Sequence, residues 1–143
     1  MSNFKIMVVD DSSPMREVII KTVKAAGHAS DVFFQAVNGK EALEMLQDEW
    51  VDLLITDYNM PDMDGLMLIS EMKKDDVLSS VPVLIITTEK RDELVAEFMS
   101  KGAAGYLKKP FTPEDVREKI ISILGKRRDD ESELEPFDEG LDF

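Results

Sequence analysis

The sequence predicts an α/β fold: one sheet of five parallel strands with helices packed on both of its faces. Five short apolar or β-branched runs recur along the chain, and each is bounded by turn residues, as buried strands are. A segment with helical periodicity follows each run. Because parallel strands are joined by right-handed crossover connections, this alternation indicates a single sheet covered by helices on both sides.

The predicted elements alternate in order along the chain. The first strand, residues 6–9, is followed by a helix at 14–26, which we expect to begin with Ser13 as its N-cap and to end at Gly27. Pro14 suits the first helical position because an N–H group would have no helical partner there. The remaining strands are predicted at residues 32–37, 53–56, 83–87 and 105–107, and the remaining helices at 40–48, 66–74, 91–101 and 113–124.

Composition limits the class of protein. The chain has 143 residues, 43% of them hydrophobic, which is enough for one continuous core. It has no Cys, which excludes disulfides, thiolate metal sites and a cysteine nucleophile. No leader-like segment and no run of about 20 apolar residues occurs, and 30 acids against 17 bases argue against nucleic-acid or membrane partners. We expect a cytoplasmic protein.

Two segments differ in charge. Residues 1–125 form the predicted domain, with Gly125 at its boundary, and residues 126–143 form an acidic C-terminal tail. The tail has eight acids and no base from Asp129 onwards, so we expect it to be disordered. A docking segment is the alternative, because four apolar side chains are spaced among the acids: Leu134, Phe137, Leu141 and Phe143.

Reactive side chains lie at the ends of four predicted strands. Carboxylates follow two strands, Asp10 and Asp11 after the first and Asp57 after the third. The fourth strand ends in Thr87 and Thr88, and the fifth runs into Lys108 and Lys109. In open parallel sheets, ligands bind at the edge where the carboxyl ends of the strands meet. Three carboxylates there would repel one another and raise at least one pKa unless a cation were bound. Mg²⁺ suits such a site because it takes one or two carboxylates together with water and a phosphate oxygen.

His28 is the only histidine of the chain and directly follows Gly27, the predicted end of the first helix. An isolated histidine after a helix stop has no neighbouring motif that would give it a chemical role. We interpret it as a solvated loop residue and not as a catalytic base or phosphodonor.

Four motifs make the sequence resemble a known family. They are VVDDSSPMR (residues 8–16), TDYNMPDMDG (56–65), PVLIITTE (82–89) and GYLKKPFTPED (105–115). With these motifs in this order, residues 4–124 resemble the receiver domain of bacterial response regulators, most closely the stand-alone, CheY-like receivers of chemotaxis. The resemblance implies a flavodoxin-like fold with strand order 2-1-3-4-5 and five flanking helices.

The resemblance also implies roles in metal binding and phosphoryl transfer. Asp57 matches the phosphoacceptor of the family. Asp11 matches a direct Mg²⁺ ligand, together with Asp57 and the backbone carbonyl of Asn59, whereas Asp10 matches a residue that acts mainly through bound water. Phosphoryl transfer depends mainly on positioning and on neutralisation of charge, which these residue types supply.

Three further residues match the switch of the family. Thr87 matches the hydroxyl that moves to bond the acyl phosphate, and Tyr106 matches the aromatic side chain whose orientation follows it. Lys109, directly before Pro110, matches the ammonium group that pairs with the phosphoryl group, and its neighbour Lys108 does not. The resemblance implies a cis peptide bond between Lys109 and Pro110.

We therefore predict a single-domain response regulator that a histidine kinase phosphorylates on Asp57 in a Mg²⁺-dependent reaction. It is not an enzyme for a separate substrate, although it promotes its own phosphorylation and dephosphorylation. Its expected partners are the kinase, an output protein such as the flagellar motor switch, and a phosphatase. A phosphorelay intermediate or phosphate sink is the first alternative. An aspartyl-nucleophile phosphohydrolase and a pseudo-receiver that transfers no phosphoryl group are the others.

Overall fold

The computed structural model describes residues 3–28 and 31–125. Within them, five strands form one sheet: β1 (Lys5–Val9), β2 (Val32–Ala36), β3 (Leu53–Asp57), β4 (Val83–Thr87) and β5 (Gly105–Lys108). Their order across the sheet is β2-β1-β3-β4-β5, and every neighbouring pair is parallel. The predicted parallel sheet and the strand order implied by the resemblance are both confirmed. The predicted tail at residues 126–143 lies outside the described residues.

Each strand is followed by an α-helix within the described part of the chain: α1 (Ser13–Val23), α2 (Gly39–Leu46), α3 (Gly65–Lys73), α4 (Asp92–Ser100) and α5 (Pro113–Leu124). A short 3₁₀ turn, Leu78–Ser80, precedes β4. All five predicted helices are present, and their ends differ from the prediction by no more than three residues. None of these helices combines the length and hydropathy needed to cross a membrane.

The start of α1 differs from the prediction because two adjacent serines can both cap a helix. Ser12, not Ser13, is the N-cap, and its hydroxyl accepts a hydrogen bond from the backbone N–H of Met15 at 3.2 Å. Ser13 is therefore the first helical residue, and Pro14 follows it within the first turn, where a missing N–H costs nothing.

The end of α1 also differs from the prediction. The regular helix ends at Val23 and continues as a wider turn, Lys24–His28, in which Gly27 has φ 111°. This left-handed conformation favours glycine because it has no Cβ to clash with the backbone. The predicted stop at Gly27 is confirmed, but the last turn before it is not regular α-helix.

The sheet separates two apolar clusters. On the face covered by α2, α3 and α4, the cluster includes Met7, Leu54 and Phe98, all fully buried. The face covered by α1 and α5 contains the second cluster, to which Ile6 and Ile55 contribute. Every residue of β3 and of β4 is buried. The carboxyl ends of these two central strands therefore lie in the middle of one sheet edge, between the two helix layers.

Gly65 lies where α3 begins, next to the end of β3. Its N–H group donates to the Tyr58 carbonyl at 2.9 Å, and a Cβ there would lie 3.1 Å from the Asp57 carbonyl oxygen and 3.2 Å from Tyr58 Cα. Because these are backbone atoms, they cannot rotate away. We expect Gly65→Ala to lower the free energy of unfolding by about 1–3 kcal/mol in urea denaturation.

The control for this prediction is Gly125→Ala, because among the described residues a Cβ at Gly125 would meet only the side chain of Ile121, at an ordinary 3.5 Å. Gly125 also has φ −61°, which alanine adopts freely, so we expect this substitution to change stability by less than about 1 kcal/mol. Equal losses in the two variants would contradict the close approach of β3 and α3.

Candidate functional site

Three carboxylates meet at the carboxyl end of the sheet. Asp10 and Asp11 directly follow β1, and Asp57 is the last residue of β3, which pairs with β1. One carboxylate oxygen from each residue lies within 4.8 Å of those of the other two. The topology thus brings together three acids that are separated by up to 47 positions in the sequence, as the strand-end argument predicts.

Asp10 is the most deeply buried member of this cluster. It is only 2% exposed; its Oδ1 accepts a hydrogen bond from the Ser12 N–H at 2.8 Å, and its Oδ2 is buried without a hydrogen-bond partner among the described residues. Burial raises the pKa of the Asp10 carboxyl, and the nearby negative charge of Asp57 raises it further, against the lowering effect of the Ser12 N–H. An unpartnered oxygen beside two other carboxylates is an environment that favours a bound cation.

We expect Asp10→Asn to stabilise the metal-free protein at neutral pH by about 1–2 kcal/mol. The pKa of the Asp10 carboxyl is raised in the folded protein, so the unfolded chain loses the carboxyl proton at a lower pH than the folded chain does. Ionisation of Asp10 therefore lowers the stability of the folded protein as the pH rises above 3.8. In urea denaturation with a chelator, the advantage of the variant should therefore be present at neutral pH and vanish below pH 3.8. A variant less stable than wild type at neutral pH, when the exposed control Asp48→Asn is unchanged, would contradict this.

Arg16 supports the loop that carries the two acids after β1. Its Nη1 donates to the carbonyl oxygen of Asp10 at 2.7 Å, and its Nε donates to Gln35 Oε1 at 2.8 Å. Arg16 therefore ties α1 to the ends of β1 and β2. Composition and periodicity assign Arg16 no role, and the available signal in the sequence was an arginine in the first turns of the helix that follows the paired acids.

Lys109 brings a positive charge to the phosphoacceptor candidate. Its Nζ lies 3.2 Å from Asp57 Oδ1, and its backbone N–H donates to the Thr87 carbonyl at 2.8 Å. The preceding residue, Lys108, is exposed at the end of β5. The Lys109–Pro110 peptide bond is cis, as the resemblance implies. Of the two neighbouring lysines, the structure places Lys109 at the site.

Thr87 and Tyr106 lie on neighbouring strands next to this cluster. Thr87 is completely buried at the end of β4, and its Oγ1 accepts a hydrogen bond from the Glu89 N–H at 2.9 Å. Tyr106 is half-buried on β5, where it pairs with Ile85, and the ammonium group of Lys119 lies 5.2 Å from its ring centroid. Tyr106 is thus not part of the acid cluster, but it lies on the strand that leads to Lys109.

Asn59 is exposed in the loop two residues after Asp57. This loop is tied to the sheet at Tyr58, whose N–H donates to the Ile86 carbonyl at 2.9 Å. The backbone after β3 therefore has a fixed start beside the acid cluster, which suits the carbonyl of Asn59 for a role in metal binding.

His28 does not lie in this site. It follows α1 near the start of β1, at the opposite edge of the sheet, where its Nδ1 is 2.7 Å from Asp31 Oδ2 and its ring packs against Phe4. The expectation of a solvated loop residue was wrong, because the side chain is only 15% exposed and forms a hydrogen bond with Asp31. Its position at the opposite edge separates it from the carboxylate cluster.

Comparison with known proteins identifies the family. The sequence model of the response regulator receiver domain matches residues 6–121. A protein named chemotaxis protein CheY homolog, from Campylobacter jejuni, is 39% identical over 122 residues, which are 85% of this chain and 92% of the relative. Chemotaxis protein CheY1 from Helicobacter pylori is 40% identical over 122 residues, which are 85% of this chain and 97% of that protein.

Solved structures agree with this match. The chemotaxis protein CheY4 of Vibrio cholerae superposes with a TM-score of 0.78 at 32% identity, covering 86% of this chain and 100% of that one. The chain therefore belongs to the response regulator receiver domain family. It is a CheY-like receiver, which makes it a signalling protein of the two-component type with chemotaxis proteins among its relatives.

Proposed function

We propose that this protein is a phosphorylation-dependent switch whose phosphoacceptor is Asp57 and whose donor is a histidine kinase. The observation that carries the proposal is the position of Asp57, which lies within a cluster of three carboxylates and 3.2 Å from the ammonium group of Lys109. A carboxylate with a cation on one side and further acids on the other is suited to a reaction that brings a phosphoryl group and a metal ion together.

Mg²⁺ is the proposed cofactor. We assign Asp11, Asp57 and the backbone carbonyl of Asn59 as its direct ligands, and Asp10 as a residue that holds metal-bound water. Hard oxygen donors in this number, with positions left for water and a phosphate oxygen, match the preference of Mg²⁺. The ion would neutralise charge on the phosphoryl oxygens and relieve the repulsion that raises the pKa of Asp10.

The chain's own residues supply the rest of the proposed reaction. A carboxylate oxygen of Asp57 attacks the phosphorus of the donor, and the new P–O bond forms as the bond to the donor's leaving atom breaks and that atom takes the electron pair. Lys109 stabilises the negative charge on the transferred group because its ammonium already lies beside Asp57. The nucleophile is a carboxylate oxygen and not a hydroxyl group, so the proposed reaction assigns no residue as a general base.

Switching then involves Thr87 and Tyr106. The Thr87 hydroxyl is held by the Glu89 N–H, and in our proposal it turns to donate to an oxygen of the acyl phosphate, which draws the loop after β4 toward Asp57. Tyr106 lies beside this loop on β5 and changes its packing in response. In our proposal the altered surface binds an output protein in the cytoplasm. Because the relatives are named chemotaxis proteins, the flagellar motor switch is our first candidate, and a phosphatase is a further candidate partner.

Two alternatives use the same residues. A phosphorelay intermediate or a phosphate sink would accept the phosphoryl group in the same way without binding a motor protein. A phosphohydrolase with an aspartyl nucleophile is disfavoured, because in this chain Asp57 ends the third strand and the paired acids follow the first. The proposed domain, residues 1–125, contains every residue that the mechanism uses.

The test of the proposal is incubation of the full chain with a small acyl phosphate, with Mg²⁺ or with a chelator, followed by intact-mass measurement. We expect a gain of one phosphoryl group per chain in Mg²⁺ and little gain in the chelator. Sustained release of inorganic phosphate from many unrelated phosphate esters would instead favour the phosphohydrolase, and no covalent gain under either condition would favour a pseudo-receiver.

The metal assignment makes a separate prediction. We expect Asp10→Ala to lower the affinity for Mg²⁺ about tenfold, which is typical for the loss of a residue that supports the metal ligands without binding the metal itself. Asp11→Ala should lower the affinity further, because a direct ligand is lost. Calorimetric titration with Mg²⁺ measures both, with the exposed Asp48→Ala as the control. Equal losses, or the reverse order, would contradict the distinction between the two adjacent acids.

A further inference from the structure

A groove of about 390 Å³ lies between α3 and α4, beside the end of β3. Its walls come from two segments that are distant in sequence, the start of α3 and the later turns of α4. The lining residues that matter here are Tyr58, Asp64, Leu66, Met67, Glu97 and Lys101. This surface has no role in the reaction proposed above.

The lining of the groove has an apolar part, Leu66 and Met67, which we call its floor, and an acidic part, which we call its rim. Met67 is 48% exposed, which is unusual for a large hydrophobic side chain on a helix that otherwise packs into the core, and Leu66 beside it is half-buried. Tyr58 forms one end, and its ring is held by Phe98 with the ring centroids 5.2 Å apart. The groove therefore presents a Met–Leu surface next to a fixed aromatic ring.

The rim of the groove is acidic. Three carboxylates line it, those of Asp64, Glu71 and Glu97, against the single lysine Lys101. Tyr58, Asp64 and Glu97 line the same groove, although the two acids come from different helices. Burial raises the pKa of Tyr58, and the negative charges of Asp64 and Glu97 raise it further, while the positive charge of Arg91 lowers it. Within residues 3–28 and 31–125, Glu71 is the only one of these three acids with an ion-pair partner, Lys74 at 2.9 Å.

We propose that this groove is a docking site for a basic, amphipathic segment of a partner protein. An aliphatic side chain of the segment would cover Met67 and Leu66, and an adjacent lysine or arginine would lie between Asp64 and Glu97. Apolar anchors supply affinity in such interfaces, and opposite charge supplies orientation and encounter rate.

The charge of the rim decides between this occupant and others. The chain's own C-terminal segment carries eight acids and no base from residue 129 to 143, so the groove would repel it. Nucleic acids and anionic lipids are disfavoured for the same reason. A helix or strand with both cations and apolar side chains is the partner chemistry that complements the floor and the rim together.

The position of the groove gives it a connection to Asp57. Tyr58 directly follows Asp57 in the chain, and its backbone carbonyl accepts the N–H of Gly65 at 2.9 Å, at the first residue of α3. The docking proposal itself does not depend on phosphorylation, so it can be tested on the unmodified protein.

The experiment is selection of random peptides of about 12 residues, displayed on phage, against the full unmodified chain. Enriched peptides are then synthesised, titrated by fluorescence anisotropy and mapped by amide chemical shifts. The groove variant combines Asp64→Asn with Glu97→Gln and so removes two negative charges. The side-chain oxygen of Asp64, which accepts a hydrogen bond from the Met67 N–H at 2.9 Å at the start of α3, is kept in asparagine. The matched control is Glu17→Gln with Glu118→Gln, two exposed acids on α1 and α5.

We expect enriched peptides that combine lysine or arginine with leucine or methionine, and shift changes centred on Tyr58, Met67 and Glu97. Their affinity should fall at least about fivefold in the groove variant and less than about twofold in the control. Met67→Ser should also weaken them. Enrichment of acidic or uncharged peptides, equal losses in the two double variants, shift changes elsewhere, or no enrichment above background would each overturn the proposal.

Discussion

Asp57→Asn is expected to abolish phosphoryl uptake completely while the fold is retained. The amide has almost the shape of the carboxylate, but its uncharged oxygen is a poor nucleophile and forms no stable acyl phosphate. Intact-mass measurement after incubation with a small acyl phosphate and Mg²⁺ should show a full gain for wild type and none for the variant. Asp76→Asn, an exposed acid outside the site, should behave as wild type.

The same substitution should not destabilise the protein in the absence of metal. Asp57 is 7% exposed, and its charge is one cause of the raised pKa of Asp10. Removal of that charge relieves the repulsion between the two carboxylates but also removes the ion pair with Lys109. Urea denaturation in a chelator separates a folding defect from a chemical one. Phosphoryl uptake by a folded Asp57→Asn chain, mapped to another residue, would overturn the assignment of the phosphoacceptor.

Most of the fold could be predicted because each strand is short, apolar and bounded by turn residues. The rule that reactive groups collect at the carboxyl ends of parallel strands predicts from the sequence alone that Asp10, Asp11 and Asp57 lie together. It also indicated that one carboxyl would have a raised pKa. Which of the three carboxyls has the raised pKa depends on burial. In the structure it is the carboxyl of Asp10, the residue with an unpartnered buried oxygen.

The features that sequence reasoning missed depend on contacts between distant segments. Arg16 acquires its role from the carbonyl of Asp10 and the side chain of Gln35, and the sequence alone shows only a helical arginine. His28 packs against Asp31 and Phe4. A single histidine after a glycine gives no indication of these contacts in the sequence. At the first helix, Ser12 and Ser13 are equivalent by type, and only the backbone geometry decides which of them is the cap.

The acidic groove belongs to the same class of feature. Asp64 and Glu97 are 33 positions apart, and nothing in either local sequence links them. They line one groove because α3 and α4 cover the same face of the sheet, where the Tyr58 ring packs against Phe98 of α4. Prediction of such surfaces needs the relative positions of helices, which residue periodicity alone does not supply.

Lys109→Ala is expected to have the second-largest effect, on rate and on switching together. Loss of a fixed cation 3.2 Å from the nucleophile should slow phosphoryl uptake by roughly 100-fold, because one preorganised group that stabilises developing charge is removed. Uptake should not vanish, since the carboxylates that would hold Mg²⁺ remain. Rates from intact-mass time courses measure the first effect, and amide chemical shifts of Thr87 and Tyr106 before and after phosphorylation measure the second.

Lys108→Ala is the matched control, because Lys108 is the adjacent lysine and is exposed at the end of β5. It should leave the rate within about threefold of wild type, as an exposed charge beyond contact distance is screened by solvent and salt. In the Lys109 variant, phosphorylated chains should show much smaller shift changes at Thr87 and Tyr106, because the ammonium no longer links the phosphoryl group to the loop after β4. If Lys108→Ala were the slower variant, or if full shift changes survived in Lys109→Ala, the assignment of the phosphoryl-binding cation to the residue before Pro110 would be wrong.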